Sequence, residues 1–334
     1  MSSTSLPVVA ILALGGTIAA APAVAGKPAT MDLNADDLVR ALPALATLAE
    51  IRAETVRRVG SADLSFADVF AVVERIRALA AEGVDGVVVT QGTDTLEETA
   101  FLLDRLVELD LPVVVTGAMR HTGAPGADGP ANLLAAVTVA ASAEARGTGA
   151  LVVSNDEIHL ARFVRKGHAT STATFQSPFL GPVGWVAERR VRMPLVPRHR
   201  GRLFHLSPGT TLPQVALLKF SFDDTPRLIE LISPDSFQGA VIETYGAGHT
   251  SQRVLDALAG LAARMPTVFA SRTGVGEVHQ SSCDFPGSEL RLLERSLIPA
   301  VALDGLKSRL LLALLLAEGA DRVAIRAAFE EFAR

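Results

Sequence analysis

VVAILALGGTIA, residues 8–19, places an unbroken aliphatic run directly before Gly15, Gly16 and Thr17. A short apolar run of this kind is typical of a strand buried on both faces, and the paired glycines mark a turn at its end. Helical spacing resumes further along the chain. The segment therefore predicts the first strand and turn of a parallel α/β sheet.

Two further stretches repeat this pattern. The apolar run 84–90 ends in QGTDT (residues 91–95), and the run 111–115 ends in TGAMR (residues 116–120). Because the carboxyl ends of parallel strands share one edge, and ligands bind at that edge in open α/β sheets, the three turns should meet. We therefore expect Thr17, Thr93 and Asp94 to line one cleft.

The strand and helix alternation stops once and then restarts, which predicts two domains in the 334 residues. Residues 188–213 are rich in proline and arginine and read as a linker. Residues 1–187 should form a larger domain with a parallel or mixed sheet and flanking helices, and this domain carries the threonines. Residues 214–334 should form a smaller, flavodoxin-like α/β domain.

Charge and hydropathy exclude two classes of partner. The net charge is -5, the sequence pI is 5.8, and the 31 basic residues are largely dispersed, which argues against nucleic acid. The apolar run 310–317 is too short for a membrane span, which needs about 20 residues. The single Cys283 cannot form an intramolecular disulfide, which fits a reducing compartment.

The N-terminal stretch 6–25 superficially resembles a signal peptide. Residues 1–6 contain no lysine or arginine, however, and Gly15 and Gly16 interrupt the apolar run. Cleavage after Ala25 would also remove the first predicted strand and Thr17. We therefore expect a soluble, cytoplasmic protein.

Each candidate chemical group also has an ordinary structural interpretation. Thr17 can act as a nucleophile if a base is near, but a glycine-glycine-threonine triplet is also a common turn. Thr93 and Asp94 can equally be capping residues at a helix start. Lys166, in RFVRKGH (residues 162–168), is either a solvated charge or, if buried beside a threonine hydroxyl, a proton acceptor.

Five motifs together carry a family resemblance. They are LGGTIA (14–19), GTDTLEETA (92–100), TGAMR (116–120), ADGPANL (127–133), and Lys166 followed by Ala173-Thr174-Phe175. In these motifs, and in their spacing over nearly the whole chain, the protein resembles the bacterial L-asparaginase family of threonine amidohydrolases.

The resemblance implies an activity. L-Asparagine would be hydrolysed to L-aspartate and ammonia through an acyl-enzyme on Thr17. The resemblance leaves open whether L-glutamine is hydrolysed as well. Lys166 would polarise Thr93, and Asp94 would hold the α-amino group of the substrate. The family needs no metal and no organic cofactor.

The resemblance also implies which residues bind substrate. Ser61 matches the serine that grips the α-carboxylate, and a neighbouring subunit of a dimer or tetramer would close the shared site with His249 and Glu289. Taken alone, His249 is an ordinary loop residue and Glu289 a solvated charge. The implied substrate-binding positions within the first domain are Gly16, Ser61, Ala62, Gly92, Thr93, Asp94, Ala118 and Met119.

Three departures from the family pattern keep alternatives open. The predicted lid, residues 20–30, has no tyrosine, and Tyr245 is the one tyrosine of the chain. Ala62 and Gln91 stand where many members have glutamine and histidine. One alternative is an amidotransferase subunit acting on tRNA-borne glutamate, which would need an added N-terminal module and a basic surface. The other is a non-catalytic amino-acid-binding or sensory homologue.

Overall fold

A computed structural model describes residues 5–22, 27–207 and 209–332. These residues divide into two compact units, and the boundary falls between Leu203 and Phe204. The boundary lies inside the predicted linker 188–213. Each unit has its own sheet and its own apolar core.

The first unit is built on an eight-stranded sheet with the strand order β12-β11-β8-β7-β6-β5-β1-β4. Two short antiparallel pairs, β2 with β3 and β9 with β10, lie outside it. The described strands of this unit are β1 (Val8–Gly15), β2 (Ala21–Pro22), β3 (Ala29–Thr30), β4 (Glu50–Val59), β5 (Gly86–Thr90), β6 (Val113–Thr116), β7 (Ala150–Ser154), β8 (Glu157–Leu160), β9 (Arg165–Lys166), β10 (Phe175–Gln176), β11 (Gly184–Ala187) and β12 (Arg190–Arg192).

The large sheet is parallel at one end and antiparallel at the other. Strands β4, β1, β5, β6 and β7 run parallel, whereas β7, β8, β11 and β12 pair antiparallel. Asn155 and Asp156 turn β7 into β8 with left-handed φ values of 53° and 61°, as a two-residue hairpin turn requires. Strand β12 takes three residues of the predicted linker into the edge of this sheet.

Helices cover the parallel strands and supply the core of the first unit. Helix α2 begins after Ser65, and a reciprocal pair of hydrogen bonds between Ser65 and Asp68 caps its first turn. Helix α4 packs an almost wholly buried surface against strands β5, β6 and β7. The α-helices of this unit are α1 (Ala35–Arg40), α2 (Phe66–Ala81), α3 (Leu96–Leu106) and α4 (Gly129–Ala140).

The second unit is a smaller four-stranded parallel sheet whose strands β13 to β16 follow one another in chain order. The predicted two-part α/β fold is therefore confirmed. No helix in the described ranges is both long and apolar enough to cross a bilayer. The elements are β13 (Val215–Lys219), α5 (Arg227–Glu230), β14 (Gly239–Thr244), α6 (Leu255–Arg264), β15 (Thr267–Ser271), α7 (Glu289–Glu294), β16 (Ile298–Pro299), α8 (Gly305–Ala317) and α9 (Arg322–Glu331).

Candidate active site

Four loops meet at one edge of the first unit because they follow four neighbouring parallel strands. The order β6-β5-β1-β4 places the loops after Thr116, Thr90, Gly15 and Val59 side by side. The expectation that the three glycine turns share one edge is confirmed. The loop after β4 carries Ser61, which only the family resemblance indicated; strand β4 itself was not predicted, because residues 50–59 carry no strong strand signal.

The loops after β1 and β5 touch backbone to backbone. Gly16 has a φ of 82°, and a Cβ atom at this position would lie 2.1 Å from the Gly92 nitrogen. Only glycine allows both the left-handed conformation and this approach. The part-exposed Thr17 then opens a short 3-10 turn. The contact holds the Thr17 turn directly against the turn that carries Thr93.

Ser61 fastens the loop after β4 to the turn that carries Gly92 and Thr93. A Cβ on Gly92 would lie 2.8 Å from Ser61 Oγ, and the backbone N–H of Asp94 donates to that oxygen over 3.1 Å. The hydroxyl of Thr95 donates to the Ser61 carbonyl at 2.8 Å. Because Ser61 Oγ accepts from the backbone, its own proton stays available for an anionic ligand. The adjacent Ala62 is exposed.

Lys166 reaches the Thr93 turn from a distant part of the chain. Its ammonium donates to Thr93 Oγ1 at 2.9 Å and to Asp94 Oδ1 at 2.6 Å. Its backbone N–H donates to Glu97 Oε1 at 3.0 Å, which positions the chain at β9. The side chain of Lys166 is 17% exposed, whereas that of Asp94 is 71% exposed. Lys166 is therefore a paired group rather than a freely solvated charge.

Thr93 and Asp94 lie before helix α3 rather than in its cap. The helix begins at Leu96, its N-cap residue is Thr95, and no side chain caps it. The helix-start interpretation of this motif therefore fails for Thr93 and Asp94 but holds in part further on, because Thr95 is the N-cap residue and Glu97 and Glu98 lie in the first turn. Thr93 is nearly buried beside Lys166, and the carboxylate of Asp94 extends into solvent.

The loop after β6 is held by residues to which sequence reasoning gave no role. Asp128 accepts the backbone N–H of Met119 at 2.9 Å, and Asn132 donates to the Gly117 carbonyl at 3.0 Å. Ala118 is buried, and Met119 is part-exposed. The ADGPANL motif contains both holding residues, so the signal was present but pointed to no chemistry.

The two ends of the predicted lid are anchored near the Thr17 turn. Strands β2 and β3 pair, Leu33 N–H donates to the Ala19 carbonyl at 3.1 Å, and Thr122 Oγ1 donates to the Ala20 carbonyl at 3.0 Å. Residues 23–26 of the lid, with the cleavage position Ala25, lie outside the described residues. Tyr245 belongs to the second unit, where its hydroxyl donates to the Ser221 carbonyl.

His249 and Glu289 form a pair within the second unit. Glu289 Oε2 lies 3.2 Å from His249 Nε2, and the Glu289 side chain is 0% exposed. Its other oxygen accepts the N–H groups of Ser282 and Cys283 at 2.8 and 2.6 Å. The alternative that Glu289 is a solvated charge is therefore wrong.

Two opposing effects act on the pKa of Glu289. Burial works to raise the pKa, but the backbone N–H groups of Cys283, Glu289 and Ser282, together with the charge of His249, outweigh burial. The pKa therefore lies below its ordinary value. Glu289 is an anion at neutral pH and has no proton to give.

The first-unit cleft combines the groups needed for nucleophilic acyl transfer. A part-exposed threonine, a second threonine bound to an ammonium group, and an exposed carboxylate lie on adjoining turns of this edge. No redox group is required for such a reaction. The arrangement suits a small zwitterionic substrate with a cleavable carbonyl group.

Family models identify both parts of the chain. Residues 8–197 match the model described as asparaginase, N-terminal, and residues 214–329 match the glutaminase/asparaginase C-terminal domain. The chain belongs to the asparaginase family. The resemblance in the motifs is therefore confirmed.

Known relatives match over nearly the full length. L-asparaginase 2 of Bacillus subtilis (strain 168) is 36% identical, covering 98% of this chain and 87% of the relative. A probable periplasmic L-asparaginase of Haemophilus influenzae is 32% identical, covering 99% of this chain and 95% of the relative. The crystal structure of a probable cytoplasmic L-asparaginase from Campylobacter jejuni is 32% identical, with a TM-score of 0.89, and covers 97% of this chain and 99% of that one.

Proposed function

We propose that this asparaginase-family enzyme hydrolyses the side-chain amide of L-asparagine to L-aspartate and ammonia, with Thr17 as the nucleophile. The observation that carries the proposal is the packing of the Gly16–Thr17 turn against the Gly92–Asp94 turn, with Lys166 on Thr93. The proposal is supported because the turn that carries the part-exposed Thr17 packs against the turn that carries Thr93, whose hydroxyl accepts from the Lys166 ammonium group.

The reaction divides into two transfers at one carbonyl carbon. Thr17 Oγ1 attacks the amide carbon and loses its proton, the C–N bond breaks, and ammonia leaves with an added proton. Water then cleaves the resulting ester, which releases L-aspartate and returns a proton to Thr17. Thr93 and Lys166, 2.9 Å apart, form the path along which we assign these proton movements.

Each end of the substrate has a matching group. The exposed Asp94 carboxylate supports recognition of the α-ammonium group, and the free proton of Ser61 Oγ supports binding of the α-carboxylate. Backbone N–H groups at Gly92 and Thr93 are assigned to the developing oxyanion. The positions assigned to line the site are Gly16, Ala62, Ala118 and Met119.

A partner subunit is assigned the remaining wall of the site. His249 keeps a part-exposed ring, and the buried Glu289 carboxylate lies 3.2 Å from its Nε2 atom. We assign His249 to the substrate side and Glu289 to its positioning, in a homodimer or homotetramer with shared sites.

Mixing Thr17→Ala chains with His249→Ala chains should restore activity that neither variant has alone, since one hybrid site would carry both intact residues. A fully active monomer in light scattering would overturn this assignment.

We assign the protein to the cytoplasm. Strand β1, Val8–Gly15, lies between β4 and β5, so removal of residues 1–25 would take a central strand from the sheet. Cell fractionation tests the assignment, and recovery of a protein shortened at Ala25 outside the cytoplasm would contradict it.

The deciding experiment measures ammonia release from L-asparagine and, in parallel, from L-glutamine. Asparagine should be hydrolysed, and the glutamine rate decides whether glutaminase activity accompanies it.

Thr17→Ala should abolish the reaction and leave the melting temperature nearly unchanged, because Thr17 is part-exposed on a turn. If that variant kept more than about a tenth of kcat, less than about 1.4 kcal/mol of transition-state stabilisation would have been lost, and the nucleophile would lie elsewhere. No ammonia from either substrate would favour the non-catalytic alternative.

A further inference from the structure

A histidine, a cysteine and a glutamate from three stretches of the second unit lie together. The ligand-capable atoms of His249, Cys283 and Glu289 are all within 4.8 Å of one another. Among the described residues, no other trio of histidine, cysteine or acidic side chains meets this condition. His249 ends the turn after β14, Cys283 lies in the loop before α7, and Glu289 opens α7.

Backbone hydrogen bonds fix the three stretches to one another. Thr250 N–H donates to the Gly287 carbonyl at 2.7 Å, which ties the histidine turn to the start of α7. Glu289 Oε1 accepts the N–H of Cys283 at 2.6 Å, so the glutamate also places the cysteine. The cluster is therefore a built arrangement rather than a chance approach of mobile surface side chains.

The facing atoms of the pair are buried without being hydrogen-bonded. His249 Nε2 and Glu289 Oε2 lie 3.2 Å apart, both inaccessible to solvent, and neither has a hydrogen-bond partner among the described residues. The Glu289 side chain is 0% exposed. Buried polar atoms in folded proteins are normally satisfied by a hydrogen bond, a water molecule or an ion. A cation bound by both atoms would satisfy them together.

We propose that His249, Cys283 and Glu289 bind a Zn²⁺ ion or a divalent transition metal of similar softness. One imidazole nitrogen, one thiolate and one carboxylate oxygen form a donor set that zinc prefers, whereas Mg²⁺ and Ca²⁺ prefer oxygen alone. The fourth tetrahedral position would be open to water. This site is made by second-unit residues alone; His249 and Glu289 are also assigned to the wall of the proposed amidase site, but metal binding is measured without the amidase reaction.

The spacing is close to what zinc demands. Zinc–ligand bonds of about 2.0–2.3 Å place tetrahedral donor atoms about 3.3–3.6 Å apart. The imidazole and carboxylate atoms, at 3.2 Å, are already near this separation, and the widest gap allowed here is 4.8 Å. A contraction of about 1.2–1.5 Å at most would close the site. The part-exposed Cys283 can supply it by rotating its side chain.

A cobalt titration of the full-length, chelator-treated protein tests the proposal without measuring activity. Co²⁺ bound to a thiolate gives a near-ultraviolet charge-transfer band, and Cys283 is the sole cysteine of the sequence, so the band would report this position. We expect a band that saturates at one Co²⁺ per chain and disappears when Zn²⁺ is added. Zn²⁺ should also raise the melting temperature, because a ligand that binds the native state stabilises it.

Ligand variants separate a three-ligand site from incidental metal binding. Cys283→Ala should remove the band and weaken Zn²⁺ binding by at least about 100-fold, since loss of an outer-shell contact alone costs 10–100-fold. His249→Gln and Glu289→Gln should weaken binding similarly, and the amide oxygen introduced by Glu289→Gln can still accept the two backbone N–H groups. His279→Gln, an exposed histidine on the same loop, is the matched control and should change nothing.

Two results would overturn the site. One is equal Zn²⁺ affinity in the wild type and Cys283→Ala. The other is a cobalt band unchanged by His249→Gln, which would mean that the thiolate binds metal without the histidine. Since His249 and Cys283 are both part-exposed, these two variants test the proposal even if Glu289→Gln fails to fold.

Discussion

Each unit contains a lysine–aspartate pair, and the two pairs differ in their surroundings. Lys166 Nζ lies 2.6 Å from Asp94 Oδ1 with side chains 17% and 71% exposed, whereas Lys307 Nζ lies 2.9 Å from Asp304 Oδ2 with side chains 0% and 7% exposed. The first pair joins residues 72 positions apart and also contacts Thr93. The second lies within the first turn of α8, where Asp304 also caps the helix.

Residue types alone therefore do not assign a role to such a pair. A pair that small molecules can reach and that contacts a hydroxyl can take part in chemistry. A fully buried pair within one helical turn is out of reach of small molecules, and its role is to support the fold. Substitutions should therefore affect stability at one pair and turnover at the other.

The largest effect is expected at the buried pair. Lys307→Met should lower the free energy of unfolding by about 3–5 kcal/mol, because it removes the ammonium group that pairs with the buried Asp304 carboxylate. Urea denaturation measures this loss. Arg253→Met, which breaks the ion pair with Asp223 in the same unit, whose side chains are 58% and 68% exposed, is the matched control and should cost less than about 1 kcal/mol. Equal losses of unfolding free energy in the two variants would show that burial does not set the stability contribution of these pairs.

Acidification tests whether a buried titratable group also affects the free energy of unfolding in the first unit. His159 on β8 is 0% exposed, its Nδ1 lies 3.0 Å from Ser177 Oγ, and burial lowers its pKa to about 4. Between the ordinary pKa of about 6.5 and this value, the unfolded chain binds the proton that the folded protein refuses. Stability from this residue is therefore full above pH 6.5 and lost as the pH falls toward 4.

The size of the His159 effect should be about 3 kcal/mol, since each pKa unit corresponds to about 1.4 kcal/mol. Urea denaturation at pH 7 and near pH 4, for the wild type and His159→Gln, isolates it from the titration of carboxylates. The wild type should lose about 3 kcal/mol more than the variant. Parallel losses in both proteins would show that His159 is protonated in the fold.

A smaller effect, on turnover rather than stability, is expected at the exposed pair. Lys166→Met should lower kcat for asparagine by at least about 100-fold, the usual scale for a general acid–base group, with less than about 1 kcal/mol lost in unfolding free energy. Thr93→Val should match it in kcat. The double variant should be hardly slower than either single variant, because the two groups act as one unit. A double variant slowed by the product of the two effects would separate them.

Local sequence signals predicted the strands that build the cleft but not the contacts that assemble it. Strands β1, β5 and β6 were predicted from short runs dominated by aliphatic residues, each followed by a glycine turn. Strand β4 was missed because none of its side chains is fully buried and several are charged, as suits an edge strand.

The remaining contacts join parts of the chain that no local pattern connects. The bond of Lys166 to Thr93 spans 73 positions and needs the β9 hairpin to be placed first. The burial of Glu289 is set by backbone N–H groups in a preceding loop, so its charge alone suggested the wrong environment. Asp128 was visible in a motif, yet it binds backbone groups of another loop.

The backbone contact between Gly16 and Gly92 limits how this enzyme can be redesigned. Neither position can accept even one methyl group, because a Cβ on Gly16 would lie 2.1 Å from the Gly92 nitrogen and a Cβ on Gly92 would lie 2.8 Å from Ser61 Oγ. A mutant library randomised at these glycines should yield almost no working clones. Engineers who want a different substrate range should instead vary the exposed Ala62 and the part-exposed Met119, where added atoms have space to go.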